Sequence, residues 1–216
     1  MNIVAKLPTR NRPERFKEVI TECIDKQSGE VTYLISADKD DESMNNTEIK
    51  LFCLKSNLNI VYGKSKNKVH AINRDEIEFD ILILLSDDMY CVQDGWDERI
   101  KNDMISNFPD MDGVLWYNDG FTGDKLDTMV IMGRKYYDRF GYIYHPEYTS
   151  LWCDNEFMEV AKSLERIIYF DDILFEHRHP ANIGYGNDKG YELTESFYKQ
   201  DEAVFNERKS RNFAQL

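Results

Sequence analysis

Cysteine, proline and glycine are sparse in this sequence, with 4, 5 and 11 occurrences among 216 residues. Cys23, Cys53, Cys91 and Cys153 are widely scattered and form no C-x-x-C pair, which excludes a disulfide framework and predicts reduced, buried thiols. Too few prolines and glycines are present for a flexible linker, and neither an internal repeat nor a low-complexity tract occurs, so a single domain is expected. Long apolar runs are also missing. The longest aliphatic stretch, Ile81 to Leu85, is five residues, where a membrane span needs about 20. No hydrophobic segment follows Met1 as in a secretory signal, and a soluble, cytoplasmic protein is expected. Positive charge is the last deficit: 27 Lys and Arg stand against 40 Asp and Glu, a net −13. That argues against a duplex-binding surface, which works by setting Lys and Arg against phosphates, though not against a nucleobase as substrate. Neither G-x-G-x-x-G nor G-x-x-x-x-G-K-[ST] is found, which rules out a Rossmann dinucleotide loop and a P-loop.

What is present is a globular composition, 42% hydrophobic and 31% charged, in a chain long enough to bury roughly 70% of its unfolded surface. In the first half short apolar runs alternate with helical periodicity. Asn2 to Leu7 reads as a strand. Phe16, Val19, Ile20, Cys23 and Ile24 then mark one face of a helix that Pro13 opens. Strands at Val31 to Ser36 and Asn59 to Tyr62 flank a helix at Met44 to Leu54; a helix is expected over Ser65 to Ile77, and Phe79 to Leu85 is a nearly unbroken apolar strand suited to a sheet covered on both faces. Four β-α units of this kind predict an α/β fold with a doubly wound start, whose ligands sit beyond the carboxyl ends of the strands. The second half is less regular. Strands are expected at Gly113 to Tyr117, Thr128 to Met132, Ile167 to Phe170 and Ile173 to Phe175, and helices at Asp154 to Leu164 and Glu192 to Arg208.

Four groups of residues carry candidate chemistry. Ser86-Asp87-Asp88 follows the buried fourth strand, and two adjacent carboxylates cannot both enter an apolar core without a large ionisation penalty. A divalent cation, Mg²⁺ or Mn²⁺, would relieve that cost; a solvated acidic turn is the competing reading. Glu176-His177-Arg178-His179-Pro180 holds two of the 4 histidines at i and i+2, on one side of an extended chain, either as a metal ligand beside Asp88 or as a plain surface pair. Imidazole beside carboxylate suits Mn²⁺ better than Mg²⁺. The turn Pro8-Thr9-Arg10-Asn11-Arg12-Pro13 combines arginine forks with a helix N-terminus, the ingredients of an anion site. Asp38, Asp40 and Asp41 end the second strand, either as acceptors for a uracil or ribose or as a plain acidic turn. Finally, Asp154 or Glu156, at the start of a helix, is a candidate general base for an acceptor hydroxyl, although Asp154 at that position also fits an N-cap. Tyr142, Tyr144, Tyr148 and Trp152 upstream would line a sugar site or simply fill core.

In order and spacing these motifs resemble the GT-A family of nucleotide-sugar glycosyltransferases, particularly the family 2-like proteins of bacteria and phages, over about residues 1 to 182. The carriers are the Pro8 to Pro13 turn, Asp38, the stretch Asn67 through Arg74, Ser86-Asp87-Asp88 in the D-x-D position, Asp154-Asn155-Glu156 in the base position, and His177 to Pro180 in the late ligand position. Two departures stand out: Ser86 replaces the first Asp of D-x-D, and Asp154-Asn155-Glu156 lacks the usual Glu-Asp pair. The resemblance implies a single domain with a mixed, mostly parallel sheet, a nucleotide-sugar-binding half over 1–100, an acceptor half over 101–182 and a C-terminal helical extension over 183–216. It implies that Pro8, Thr9, Arg10, Arg12, Asp38, Asn73, Arg74 and Asp87 cradle the donor, a UDP-sugar by preference. Asp88 with His177 or His179 would hold Mn²⁺ or Mg²⁺, and Asp154 would activate an acceptor hydroxyl with inversion. The acceptor would be a saccharide, a protein or a modified nucleobase. Against this stand a nucleotidyltransferase, which would show a glycine-rich loop after the first strand, and a non-catalytic nucleotide- or sugar-binding module of a larger assembly.

Overall fold

The computed structural model describes residues 1–180 and 189–214. The boundary expected near residues 182 and 183 lies outside them. The chain begins with strand β1 (Ile3–Thr9), helix α1 (Pro13–Lys26), β2 (Val31–Asp38), α2 (Thr47–Lys55), β3 (Asn59–Gly63), α3 (Lys68–Asn73) and β4 (Ile81–Leu84). It continues with β5 (Met89–Cys91), α4 (Trp96–Asn107), β6 (Val114–Tyr117), β7 (Ile131–Gly133), α5 (Arg134–Asp138), α6 (Cys153–Ser163), β8 (Ile167–Phe170) and β9 (Phe175–His177). Two further helices, α7 (Lys189–Ser196) and α8 (Tyr198–Ser210), follow where a single closing helix was expected.

A seven-stranded sheet runs in the order β3-β2-β1-β4-β7-β6-β8. The first four strands in this order are mutually parallel, β7 is antiparallel to both neighbours, and β6 and β8 are parallel. β6 therefore points the same way as β4, and the carboxyl ends of β1, β2, β4 and β6 open on one edge. Alternation along β4 explains its unbroken apolar run: Ile81 and Ile83 enter the core layer of α1 and α4, while Leu82 and Leu84 enter the opposite layer beneath α5 and α6. Both faces are covered, so both must be apolar. α1 buries Phe16, Val19, Ile20 and Cys23, each large apolar side chain contributing on the order of 1.5–3 kcal/mol. All four cysteines are free and buried.

Where boundaries differ from expectation the causes are local. α3 stops at Asn73 because the Lys6 ammonium, buried in β1, accepts nothing and donates to the carbonyls of Arg74 and Asp75, while Asp75 takes a left-handed φ of 62°. Burial lowers Lys6 to about 8. α4 was not anticipated. Its buried face is only Trp96, Ile100 and Met104 among charged residues, with Asp97 receiving the N–H groups of Ser28 and Gly29 at 2.8 and 2.6 Å. β5 and β9 pair antiparallel as a separate two-stranded ribbon, Met89 opposite His177, which carries the second histidine-bearing segment back against the end of β4. Among the described residues no helix is long and apolar enough to cross a membrane.

Candidate active site

The β1–α1 turn and the ends of β2 and β4 bring together most of the expected donor residues. Arg10 donates to Asp38 at 2.8 Å and grips Asp40 through two bonds of 2.8 and 3.1 Å. Arg74 donates to the Ala37 carbonyl at 2.6 Å and stands 3.8 Å from Asp38. It passes over Gly63, where any Cβ would lie 1.6 Å from its Nη1, so a side chain at that position would displace the guanidinium. Arg12 donates to Asp87 at 2.8 Å and Thr9 donates to the other oxygen of Asp87 at 2.9 Å. Pro8 lies opposite Ser36 in β2, past the last pairing of β1 with β4 at Lys6 and Leu84. Asn73 is engaged elsewhere: its amide accepts from Ile143 and Tyr144 N–H at 3.0 and 3.1 Å and donates to the Tyr144 carbonyl at 2.6 Å, fixing the loop before α6.

Asp87 and Asp88 are both buried but differ in state. Burial pushes the Asp87 carboxyl up, against the opposing Arg12 guanidinium. Burial acts on Asp88 in the same sense, yet His177, with the Ser86 and Tyr191 hydroxyls, outweighs it and holds Asp88 well below the ordinary carboxylate range. Ser86 donates to one Asp88 oxygen and Tyr191, from α7, to the other at 2.8 Å. Ser86 thus supports Asp88 where the family pattern has a carboxylate. Arg15 donates to the Tyr191 hydroxyl at 2.8 Å and the Arg12 guanidinium lies 3.9 Å from its ring centre, so α7 closes over the arginine turn.

His177 sits between two carboxylates, its Nε2 3.6 Å from Asp88 and its Nδ1 3.7 Å from Asp119. Burial disfavours the imidazolium, but these two partners hold it at about 9. His179 packs its ring on Tyr191 at 4.7 Å and is lowered by burial. Of the two histidines, His177 is the one whose ring faces Asp88. Asp119, just past the end of β6, was not anticipated, although the reasoning that singled out acids after β4 applies equally to Asn118-Asp119-Gly120.

Asp154 lies in the first turn of α6, after Trp152 in a left-handed conformation with φ 63°. The helix has no side-chain cap; Asp154 accepts instead from the adjacent Asn155 N–H at 2.9 Å. Burial raises the Asp154 carboxyl, with Lys68 and His177 pulling it down. Asp127, fully buried, is raised well above the ordinary range by burial, and Asp154 and Asp119 add to the effect. Glu156 is held differently: Arg208 clasps it at 2.7 and 2.8 Å and the Tyr148 hydroxyl donates at 2.7 Å. Tyr144 and Tyr148 are core residues, and Trp152 packs on Phe205 at 5.0 Å and Tyr198 at 5.5 Å. Asp201 in α8, fully buried, receives the N–H groups of Thr149, Ser150 and Leu151 at 3.0, 2.7 and 2.8 Å. The C-terminal helix thereby fixes the loop that delivers Asp154.

Among the described residues no group of three or more His, Cys, Asp or Glu side chains forms a closed metal cage. Asp88 Oδ1 and His177 Nε2, facing at 3.6 Å, supply one carboxylate and one imidazole. That donor pair fits Mn²⁺ or Mg²⁺ in a site where phosphate oxygens and water complete the shell.

No protein-family model matches the chain, and no curated protein does either. Solved structures do match. TarS residues 1–349 from S. aureus superposes with a TM-score of 0.61 at 15% identity, over 85% of this chain and 62% of that one. The mannosyltransferase PcManGT from Pyrobaculum calidifontis, in complex with GDP-Man and Mn²⁺, gives 0.61 at 10% identity, over 82% and 56%. Glucosyl-3-phosphoglycerate synthase from Mycobacterium tuberculosis, with Mn²⁺, UDP and glucosyl-3-phosphoglycerate, gives 0.61 at 12% identity, over 89% and 74%. The chain spans less than two thirds of the first two. At these identities the likeness establishes the fold, which is the GT-A architecture that the motifs implied.

Proposed function

We propose that this chain is a metal-dependent glycosyltransferase that moves a sugar from a nucleotide-sugar, by preference a UDP-sugar, to an acceptor hydroxyl. The observation that carries the reading is the meeting of Asp88 and His177 at 3.6 Å on the sheet edge where the Arg10, Arg12 and Arg74 guanidinium groups also converge. Solved structures of the same fold support it, holding UDP-GlcNAc in TarS and GDP-Man with Mn²⁺ in PcManGT.

In this reading Asp88 and His177 would hold Mn²⁺ or Mg²⁺, with His179 in reserve, and the ion would neutralise the departing nucleoside diphosphate. Arg10, Asp38 and Arg74 receive the nucleoside, and Thr9, Arg12 and Asp87 form the wall beside the diphosphate. Pro8 sets the turn, and Asn73 acts through the 143–144 loop. Asp154, raised by burial and outside the arginine pairs, takes the proton of the acceptor hydroxyl as its oxygen bonds to the anomeric carbon and the bond to the diphosphate breaks. Attack from the face opposite the leaving group inverts the configuration. Glu156 keeps α8 on the domain. The acceptor is a saccharide, a protein or a modified nucleobase.

The test is a thermal-shift and calorimetric screen of the full chain against UDP-, GDP-, CMP- and TDP-sugars, with Mn²⁺ and with EDTA. A donor at a hundredfold excess over Kd stabilises the fold by about 2.7 kcal/mol. A Mn²⁺-dependent shift with one nucleotide class is expected. No shift with any nucleotide would overturn the reading.

A further inference from the structure

The Asp119 carboxylate is built into the fold in a way that its loop alone does not explain. Its Oδ1 accepts the N–H groups of Phe121 and Thr122 at 2.9 and 2.6 Å, which closes the turn after β6. Its Oδ2 accepts from the Thr128 hydroxyl at 2.9 Å and lies 3.7 Å from Nδ1 of His177. The main chain repeats the link, because the His177 N–H donates to the Asp119 carbonyl at 3.0 Å. On the other side of the ring, Arg178 N–H donates to the Asp88 carbonyl at 2.8 Å, and Met89 is the β5 partner of His177. Asp119 and His177 are thus tied to each other by a main-chain hydrogen bond, which holds the Asp119 carboxylate beside Nδ1 at 3.7 Å, with the second ring nitrogen turned to Asp88. Asp119 is only 6% exposed and, among the described residues, belongs to none of the arginine pairs.

An imidazole that binds a metal through one nitrogen usually gives its other N–H to a carboxylate, which fixes both the ring orientation and the position of the proton. We propose that Asp119 is a positioning residue for His177: its carboxylate accepts a hydrogen bond from Nδ1–H, keeps the proton on that nitrogen and so presents Nε2, beside Asp88, to a divalent cation. The inference rests on the metal-dependent reading above and extends it to a residue outside the donor and base sets.

The substitution Asp119→Asn isolates this role. The amide oxygen retains the bonds from Phe121 and Thr122, but the amide nitrogen donates and cannot accept a hydrogen bond from Nδ1–H. Mn²⁺ binding to the full chain, read from the electron paramagnetic resonance signal of the free ion without nucleotide, is compared in wild type, Asp119→Asn, His177→Ala and the double variant. The expected result is a loss of affinity of about 10–100-fold in Asp119→Asn, a loss of at least that size in His177→Ala that leaves the weaker binding by Asp88 measurable at high Mn²⁺, and no further loss on adding Asp119→Asn to His177→Ala. A scaffold defect would weaken binding in both backgrounds, so the cycle remains decisive even if Asp119→Asn lowers the melting temperature. Wild-type affinity in Asp119→Asn, or additive losses in the double variant, would overturn the role of Asp119 alone. The same series is repeated with UDP present, and failure of wild type to bind Mn²⁺ both without and with UDP would overturn the metal reading and this inference with it.

Discussion

The two sides of the site handle charge in opposite ways. On the β1, β2 and β4 side, arginines meet carboxylates: Arg10 with Asp38 and Asp40, Arg12 with Asp87, Arg74 with Asp38 and Asp75. On the β6 and α6 side, Asp127 and Asp154 make no ion pair among the described residues, and burial raises both. Paired forks can exchange an internal carboxylate for a ligand phosphate at little cost in net charge. A carboxylate raised by burial, with Lys68 and His177 acting on it only at a distance as they do on Asp154, is suited to taking a proton. In the proposed reading anion recognition falls to the first side and proton transfer to the second, with Asp88 and His177 at their junction.

Four changes probe that division. The largest effect is expected from Asp154→Asn, which should lower turnover by about 10²–10⁴-fold, the usual worth of a general base, while nucleotide binding is retained; release of the nucleoside diphosphate from the donor reads it. Full activity in Asp154→Asn with loss in Glu156→Gln would place the base at Glu156. Next is stability. Glu156 and Arg208 have side chains only 6% and 12% exposed, and Glu156→Gln, which leaves the guanidinium with the exposed Glu147, at 3.5 Å, as its counter-charge, should cost about 3 kcal/mol in urea unfolding. Third, Lys6 stands at about 8 in the fold against an ordinary 10.5. Between those values the unfolded chain holds a proton that the folded chain has given up, so the stability of wild type relative to Lys6→Met should rise with pH from about 8 to 10.5. A flat difference would mean that the buried ammonium keeps its full charge. The smallest stability change belongs to Arg10→Ala: its pair with Asp40 is exposed, at 46% for Arg10 and 74% for Asp40, and Asp38, buried, keeps Arg74 at 3.8 Å and the Ser65 N–H at 3.0 Å, so the loss should be about 1 kcal/mol. A marked fall in nucleotide affinity with that small stability change would separate recognition from scaffolding, whereas unchanged affinity would remove Arg10 from the donor site.

The same asymmetry governs how much was legible in the sequence. β1 and β4 are parallel strands buried on both faces, so Ile3 to Leu7 and Ile81 to Leu84 announce themselves as apolar runs, and acids and arginines just beyond them fall at the carboxyl edge by topology. Asp88, Arg12 and Asp38 could be placed at that edge for that reason, whereas His177 was picked out by its paired-histidine motif. α4 was missed because its buried residues recur only every fourth position amid charge, and the short ribbon of β5 and β9 offers too few residues for a period to show. The partners that define the second side are remote in sequence: Tyr191 and Asp88 are 103 residues apart, and Arg208 and Glu156 are 52 apart. No local pattern marks a tyrosine in a C-terminal helix as the neighbour of an acid after the fourth strand. The expected helix over Ser65 to Ile77 was overrun for a related reason, since the lysine that bounds it lies in β1.

The most direct test of the division is a calorimetric titration of the nucleoside diphosphate found in the donor screen, with and without Mn²⁺, into wild type, Asp88→Ala and Asp154→Asn. The account predicts Mn²⁺-dependent binding in wild type, its loss in Asp88→Ala and its retention in Asp154→Asn. Equal binding by Asp88→Ala and wild type in the presence of Mn²⁺ would contradict it.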